Sequence, residues 1–145
     1  MCGIIAIYGN NASHWERDLN TMLDTLSHRG PDDRGTYVNN NIAMGQTRLS
    51  IVDVAGGKQP IFSEDGQKCI ICNGEIYNYP ILKIELRQHQ FCTNSDNEII
   101  IHLFEEEGSE LVSRLDGMFA FVLYDGKDIL AARDPLGIKP HLSFY

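Results

Sequence analysis

The chain has 145 residues, long enough to bury a real core and short enough for one domain. Twenty acidic against twelve basic side chains leave a formal net charge of −8, which argues against nucleic acid and anionic membrane surfaces as main partners. No apolar run approaches a membrane span, and no basic run precedes the short apolar N-terminal stretch, so a cytoplasmic location with reduced cysteines is expected.

Met1 to Gly9 is apolar almost throughout and rich in β-branched residues, which predicts a strand buried on both faces. Ser13 and Glu16 have the spacing of a capping box. Trp15, Leu19, Met22, Leu23 and Leu26 follow at helical spacing, predicting a helix over about 14–27 with that stripe inward. His28 to Asp33 reads as a loop. Residues 34–38 and 42–46 read as a hairpin around Asn39–Asn41, and residues 48–53 as a short strand or ordered loop. After a turn through Gly56–Gly57 and Pro60, residues 61–62 and 68–73 read as strands joined through Asp65–Gly66. Asn73 to Asn78 interrupts that second strand. Pro80 suits the first turn of a helix reaching about Gln90, with Ile81, Ile84 and Leu86 inward. Ser95 to Glu98 is a second capping box, opening a helix with Ile99, Ile100, Leu103 and Phe104 on one face and Gly108 at its end. A shorter helix over about 109–115 precedes strands at 118–124 and 128–133. Hairpin connections predominate, so the sheets are predicted to be antiparallel and the class α+β, in one domain over 1–145.

Cys69 and Cys72 have redox or zinc spacing, but they fall within a predicted strand and would point to opposite faces. Core packing is the expected role. Cys2 is different in kind. If Met1 is removed after synthesis, one residue carries both a thiol and a free α-amine, groups that ordinarily titrate at about 8.5 and about 7.7–8.0. That residue then supplies a nucleophile and a base for it. The alternative is a small apolar residue opening a strand. An attack by Cys2 on an amide carbonyl needs oxyanion donors, which Asn73 and the Gly74 backbone can supply, although Asn-Gly also commonly makes a plain turn. Arg48 can fork a carboxylate, or simply form a surface ion pair. Asp96 can pair with an ammonium, or favour its own helix dipole. Together they match a free amino acid whose side-chain amide reaches Cys2.

Residues 1–4 (Met-Cys-Gly-Ile), 28–32, 48–53, 73–78, 95–98, 117–121 and 133–140 resemble the glutaminase domain of glutamine-hydrolysing asparagine synthetase, in the family's order and over almost the whole chain. That domain is a class II glutamine amidotransferase of the N-terminal nucleophile hydrolase type. The resemblance implies a four-layer αββα sandwich of two antiparallel sheets between helices. It implies Cys2 as nucleophile and its α-amine as base, with Asn73 and Gly74 as the oxyanion hole. It implies that Arg48 binds the α-carboxylate of L-glutamine, that Asp96 and Glu75 hold the ammonium, and that the backbone around Leu49, Ile51 and Val52 lines the pocket. No metal or cofactor is expected for glutamine hydrolysis. ATP and Mg belong to the family's synthetase domain, whose Ser-Gly-Gly-rich phosphate loop has no counterpart in these residues. An ATP-dependent synthetase domain or chain is therefore an expected partner, and a homodimer is left open. Two other readings stand beside this one: a non-catalytic glutamine- or partner-binding module, and the glutaminase part of a different amidotransferase. The sequence departs from the family at Gln46, where a His is frequent, and after Pro140, where it continues His141-Leu142-Ser143.

Overall fold

The computed structural model describes residues 2–50 and 57–143. The first sheet holds β1 (Gly3–Tyr8), β2 (Asp33–Val38) and β3 (Ile42–Arg48), antiparallel in the order β1-β3-β2. The hairpin between β2 and β3 is tied by Asn39, whose Oδ1 accepts from the N–H groups of Asn41 at 2.8 Å and Ile42 at 2.9 Å. An Asn side chain in this role imitates a backbone turn. The second sheet is also antiparallel, in the order β4 (Ile61–Phe62), β5 (Cys69–Ile76), β6 (Gly117–Tyr124), β7 (Ile129–Arg133).

The twofold side-chain period of the strands builds the layers. Ile42 and Met44 face Cys69, Ile71, Val122 and Tyr124 between the sheets. On the outer side of the first sheet, Leu19 and Leu23 of α1 (Glu16–Thr25) pack on Ala43, Ile5 and Ile7. On the outer side of the second, Ile70, Cys72, Phe119 and Phe121 meet α2 (Tyr79–Glu85) and α3 (Ile99–Glu107) through Leu82, Ile100 and Leu103. The result is the expected αββα sandwich. Each fully buried Ile or Leu contributes roughly 1.5–3 kcal/mol. Cys69 and Cys72 lie in different apolar clusters, as their spacing in a strand requires. Burial pushes the Cys69 thiol up to about 12 and the Cys72 thiol well above its ordinary value, so both are neutral core residues.

Several expectations need correction. Ser13 does not cap α1: Asn11 turns the chain through a left-handed conformation, residues Ala12–Trp15 form a 3-10 turn, and α1 begins only at Glu16. Met22 is exposed, and α1 buries Leu19 and Leu23 instead. β5 runs unbroken through Asn73 and Gly74 to Ile76, since β6 supplies a partner for every residue. α2 stops at Glu85, and Ile81 and Ile84 face outward at 64% and 71% exposure, while Leu82 and Leu86 turn inward. Both pairs have helical spacing, so only the position of α3 chooses between them. At the second predicted capping box Ser95 accepts from Asn97 N–H at 3.3 Å, but Glu98 does not reach back. Its carboxylate instead accepts from the N–H groups of Cys92 and Thr93 and from the Thr93 hydroxyl. Gly108, with φ of 59°, ends α3 as expected. The predicted element at 109–115 is a 3-10 helix, Gly108–Arg114.

Candidate active site

One cavity of about 160 Å³ opens where the first sheet ends against the second. The start of β1 brings Cys2, the end of β3 brings Arg48 and Leu49, and β5 brings Asn73, Gly74 and Glu75. The turn ahead of α3 brings Asp96. These seven predicted site residues are thus assembled in one wall. Ile51 and Val52 lie outside the described residues.

The position of Asn73 depends on how β5 is finished at its edge. β4 pairs only Ile61 with Ile70 and Phe62 with Cys69. Beyond that point the N–H and C=O of Cys72, which point to the same side in an antiparallel strand, have no neighbouring strand to bond. Two glutamine side chains take over. Gln59 Oε1 accepts from Cys72 N–H at 2.6 Å, and Gln46 Nε2 donates to Cys72 C=O at 2.5 Å. Gln59 and Gln46 are both buried. Gln46, the departure from the family pattern, therefore acts as a clamp on the residue before Asn73. On the other side β6 presses close. A Cβ built on Gly74 would lie 2.3 Å from Met118 O and 2.6 Å from Phe119 Cα, so no side chain fits there.

Cys2 is held from three directions. Its backbone N donates to Asn73 Oδ1 at 3.2 Å, and Arg29 Nε donates to its carbonyl at 3.2 Å. Leu49 N–H donates to Sγ at 3.4 Å, and Sγ lies 3.8 Å from Leu49 O. With Oδ1 of Asn73 accepting from the Cys2 nitrogen, its amide NH2 remains as a donor group in a residue that lines the cavity. Asp96 is buried and accepts from Ile76 N–H at 2.7 Å through Oδ2. Burial raises its carboxyl above the usual value, and the nearby Glu75 charge adds to this. Arg48, at 6% exposure, places a buried guanidinium in the same wall.

The sequence reading did not single out Gln59, Asn97, Lys139 or Arg29. Lys139 lines the cavity and is buried. Its loop is fixed by Asp134, whose carboxylate accepts from the N–H groups of Ile138 at 2.8 Å, Lys139 at 3.0 Å and Phe119 at 3.3 Å. Burial alone would raise the Asp134 carboxyl, but those three donors outweigh it and hold it low. Asn97 lines the cavity and its Oδ1 is buried without a hydrogen-bond partner among the described residues. Arg29 and Lys139 stand inside motifs recognised for other residues. Gln59 carries no local signal, because its partner lies thirteen positions away in sequence.

A family model described as a glutamine amidotransferase domain matches residues 1–145. The chain is 44% identical over 144 residues to glutamine-hydrolyzing asparagine synthetase 2 of Arabidopsis thaliana, covering 97% of this chain and 25% of that protein. It is 40% identical over 146 residues to glutamine-hydrolyzing asparagine synthetase 2 of Bacillus subtilis, covering 97% of this chain and 20% of that protein. The chain thus spans a quarter or less of the curated relatives it matches. Among solved structures, the allosteric regulatory enzyme of purine biosynthesis superposes with a TM-score of 0.79 at 22% identity, over 97% of this chain and 38% of that one. The glutamine phosphoribosylpyrophosphate amidotransferase of B. subtilis superposes with a TM-score of 0.71 at 19% identity, over the same shares. These two likenesses establish the fold, two antiparallel sheets stacked between helices.

Proposed function

Since the chain belongs to the glutamine amidotransferase domain family, we propose that it releases ammonia from the side-chain amide of L-glutamine through a thioester on Cys2. The observation that carries this reading is the seating of Cys2: its nitrogen on Asn73 Oδ1, its sulfur against the Leu49 backbone, in a cavity shared with Arg48 and Asp96. Removal of Met1 turns the Cys2 nitrogen into the α-amine that serves as base.

The chemistry follows from the positions. Arg48 binds the α-carboxylate of glutamine, and Asp96 with Glu75 holds its ammonium. The side-chain amide then points toward Cys2. The α-amine takes the thiol proton, and the sulfur forms a bond to the amide carbon. The carbonyl π electrons move to oxygen, which is met by the Asn73 amide and the Gly74 N–H. Collapse of this intermediate breaks the C–N bond, and the α-ammonium returns its proton to the leaving nitrogen as ammonia. Water, deprotonated by the same amine, adds to the thioester carbon and expels the Cys2 sulfur, giving glutamate. This route uses no metal or cofactor.

The ammonia serves asparagine synthesis from aspartate in an ATP-dependent synthetase domain, the names of the relatives and the coverage supporting that destination. The protein acts in the cytoplasm; the free state of all four cysteines, with Cys92 exposed, supports a reducing compartment. No helix among the described residues is long and apolar enough to cross a membrane. The test is Cys2→Ala with glutamate release as readout. Hydrolysis should vanish while the melting temperature stays near that of the parent. Unchanged hydrolysis would sink the nucleophile assignment and leave a binding module.

A further inference from the structure

A second group of chemically active side chains lies far from Cys2. The turn between β4 and β5 carries Glu64, the segment after α2 carries His89, and α3 carries His102 and Glu105. This cluster sits beside Lys68, just ahead of β5, whereas Asn73 lies five residues along, about 16 Å at the rise of a strand. One ligand atom from each of the four residues lies within 4.8 Å of every other. His89 Nδ1 is 3.6 Å from Glu64 Oε1 and 3.3 Å from Glu105 Oε2, and His102 Nδ1 is 3.1 Å from Glu105 Oε2. A tetrahedral ion with bonds of about 2.0–2.2 Å sets its ligands about 3.3–3.6 Å apart, which two of these three distances match and the third approaches.

The outer partners fit as well. A metal-bound imidazole usually presents its second nitrogen to a carboxylate, which fixes the ring. His89 Nε2 is 2.8 Å from Glu106 Oε1, and His102 Nε2 faces Glu98 Oε1 at 3.6 Å. His102 Nε2 is buried and makes no hydrogen bond within 3.5 Å among the described residues, with the Glu98 carboxylate just beyond that distance. Lys68 Nζ takes the other oxygen of Glu105 at 3.1 Å, leaving Oε2 for the cluster. Four carboxylates, Glu64, Glu98, Glu105 and Glu106, thus surround two imidazoles whose ring centroids are 4.7 Å apart at an interplanar angle of 35°. Lys68 is the only lysine paired with the cluster among the described residues. Glu98 is fully buried and Glu105 partly so, while Glu64 and Glu106 are exposed, and a cation held between the imidazoles would offset this excess of negative charge. The imidazole and carboxylate donor set suits zinc.

We propose that Glu64, His89, His102 and Glu105 form a binding site for a zinc-class divalent ion, which staples the β4–β5 turn and the segment after α2 to α3. The site does not depend on the glutaminase reading, and its test reads metal rather than ammonia. Cys2, with its adjoining amine, can itself chelate zinc, so the measurement uses the full-length protein carrying Cys2→Ala, stripped with EDTA. Zinc is added in a calorimetric titration, and cobalt is added for its visible spectrum. One ion per chain should bind, raise the melting temperature and give the intense visible bands of tetrahedral cobalt without a thiolate charge-transfer band. Glu106→Gln, at an exposed position that leaves all four ligands, should weaken zinc binding by about 10- to 100-fold. His89→Gln, which removes a ligand, should weaken it further. Less than one equivalent bound, affinity unchanged in Glu106→Gln, or a thiolate band with cobalt would each overturn the assignment.

Discussion

Replacing Gln59 by leucine tests the idea that the catalytic strand is held by side chains where its neighbour runs out. Leucine nearly preserves the shape but removes the Oε1 that accepts from Cys72 N–H at 2.6 Å. Cys72 is 1% exposed, so water cannot replace the lost acceptor without opening the fold. A buried backbone donor left unpaired costs about 1–3 kcal/mol. For a chain of this size that corresponds to a fall in melting temperature of about 3–12 °C. The functional effect exceeds the stability effect. Asn73 adjoins Cys72, and a shift of about 1 Å in a catalytic group can cost about 100-fold in rate. The assay is a thermal melt beside steady-state glutamate release, with kcat expected to fall more than KM rises. A variant that melts within about 1 °C of the parent, below the smallest cost of a lost buried bond, would refute the clamp.

Gly74→Ala should destabilise by about 1–3 kcal/mol, since overpacking against fixed backbone is costly; the added Cβ would stand 2.3 Å from Met118 O. An unaltered melt would mean that β5 and β6 can part there freely. Asp96→Asn should lower kcat/KM for glutamine by about 10- to 150-fold, if its charged hydrogen bond to the substrate ammonium is worth about 1.5–3 kcal/mol. In the parent, kcat/KM should fall on acidification through a value above the ordinary carboxylate range, because burial raises Asp96. Asp96→Asn should lose that limb. The raised group binds its proton more tightly in the folded state, so its stabilising contribution is full below the unfolded value and lost as pH rises through the folded one. Melts of parent and variant should therefore diverge in the variant's favour as pH rises through that window. Parallel melting curves at every pH would remove Asp96 from this role.

The class of fold and most of the chemistry were legible in the residues themselves. Short runs bounded by turn residues carry a strong local strand signal, so the expected strands at 42–46, 118–124 and 128–133 lie close to the bounds of β3, β6 and β7. Seven residues expected for the site stand around one cavity: the chemistry of an amide-cleaving thiol suits Cys2, Arg48, Asn73, Gly74 and Asp96, and the resemblance to the family supplied the positions and added Leu49 and Glu75. What the sequence could not decide was anything set by a partner distant along the chain. β5 continues through Asn73 and Gly74 only because β6 is there to pair with it. Ile81 and Ile84 face out, and Leu82 and Leu86 in, because α3 lies on one side of a helix that is apolar on both. Gln46 and Gln59 read as ordinary polar residues until β4 ends at Phe62 and leaves the backbone of Cys72 to be satisfied. Glu64, His89, His102 and Glu105 are scattered over about forty positions, and only the packing of α3 under the β4–β5 turn makes them neighbours. Local patterns record what each segment is able to form, whereas hydrogen-bond satisfaction and charge compensation are settled between segments, and only the folded chain decides them.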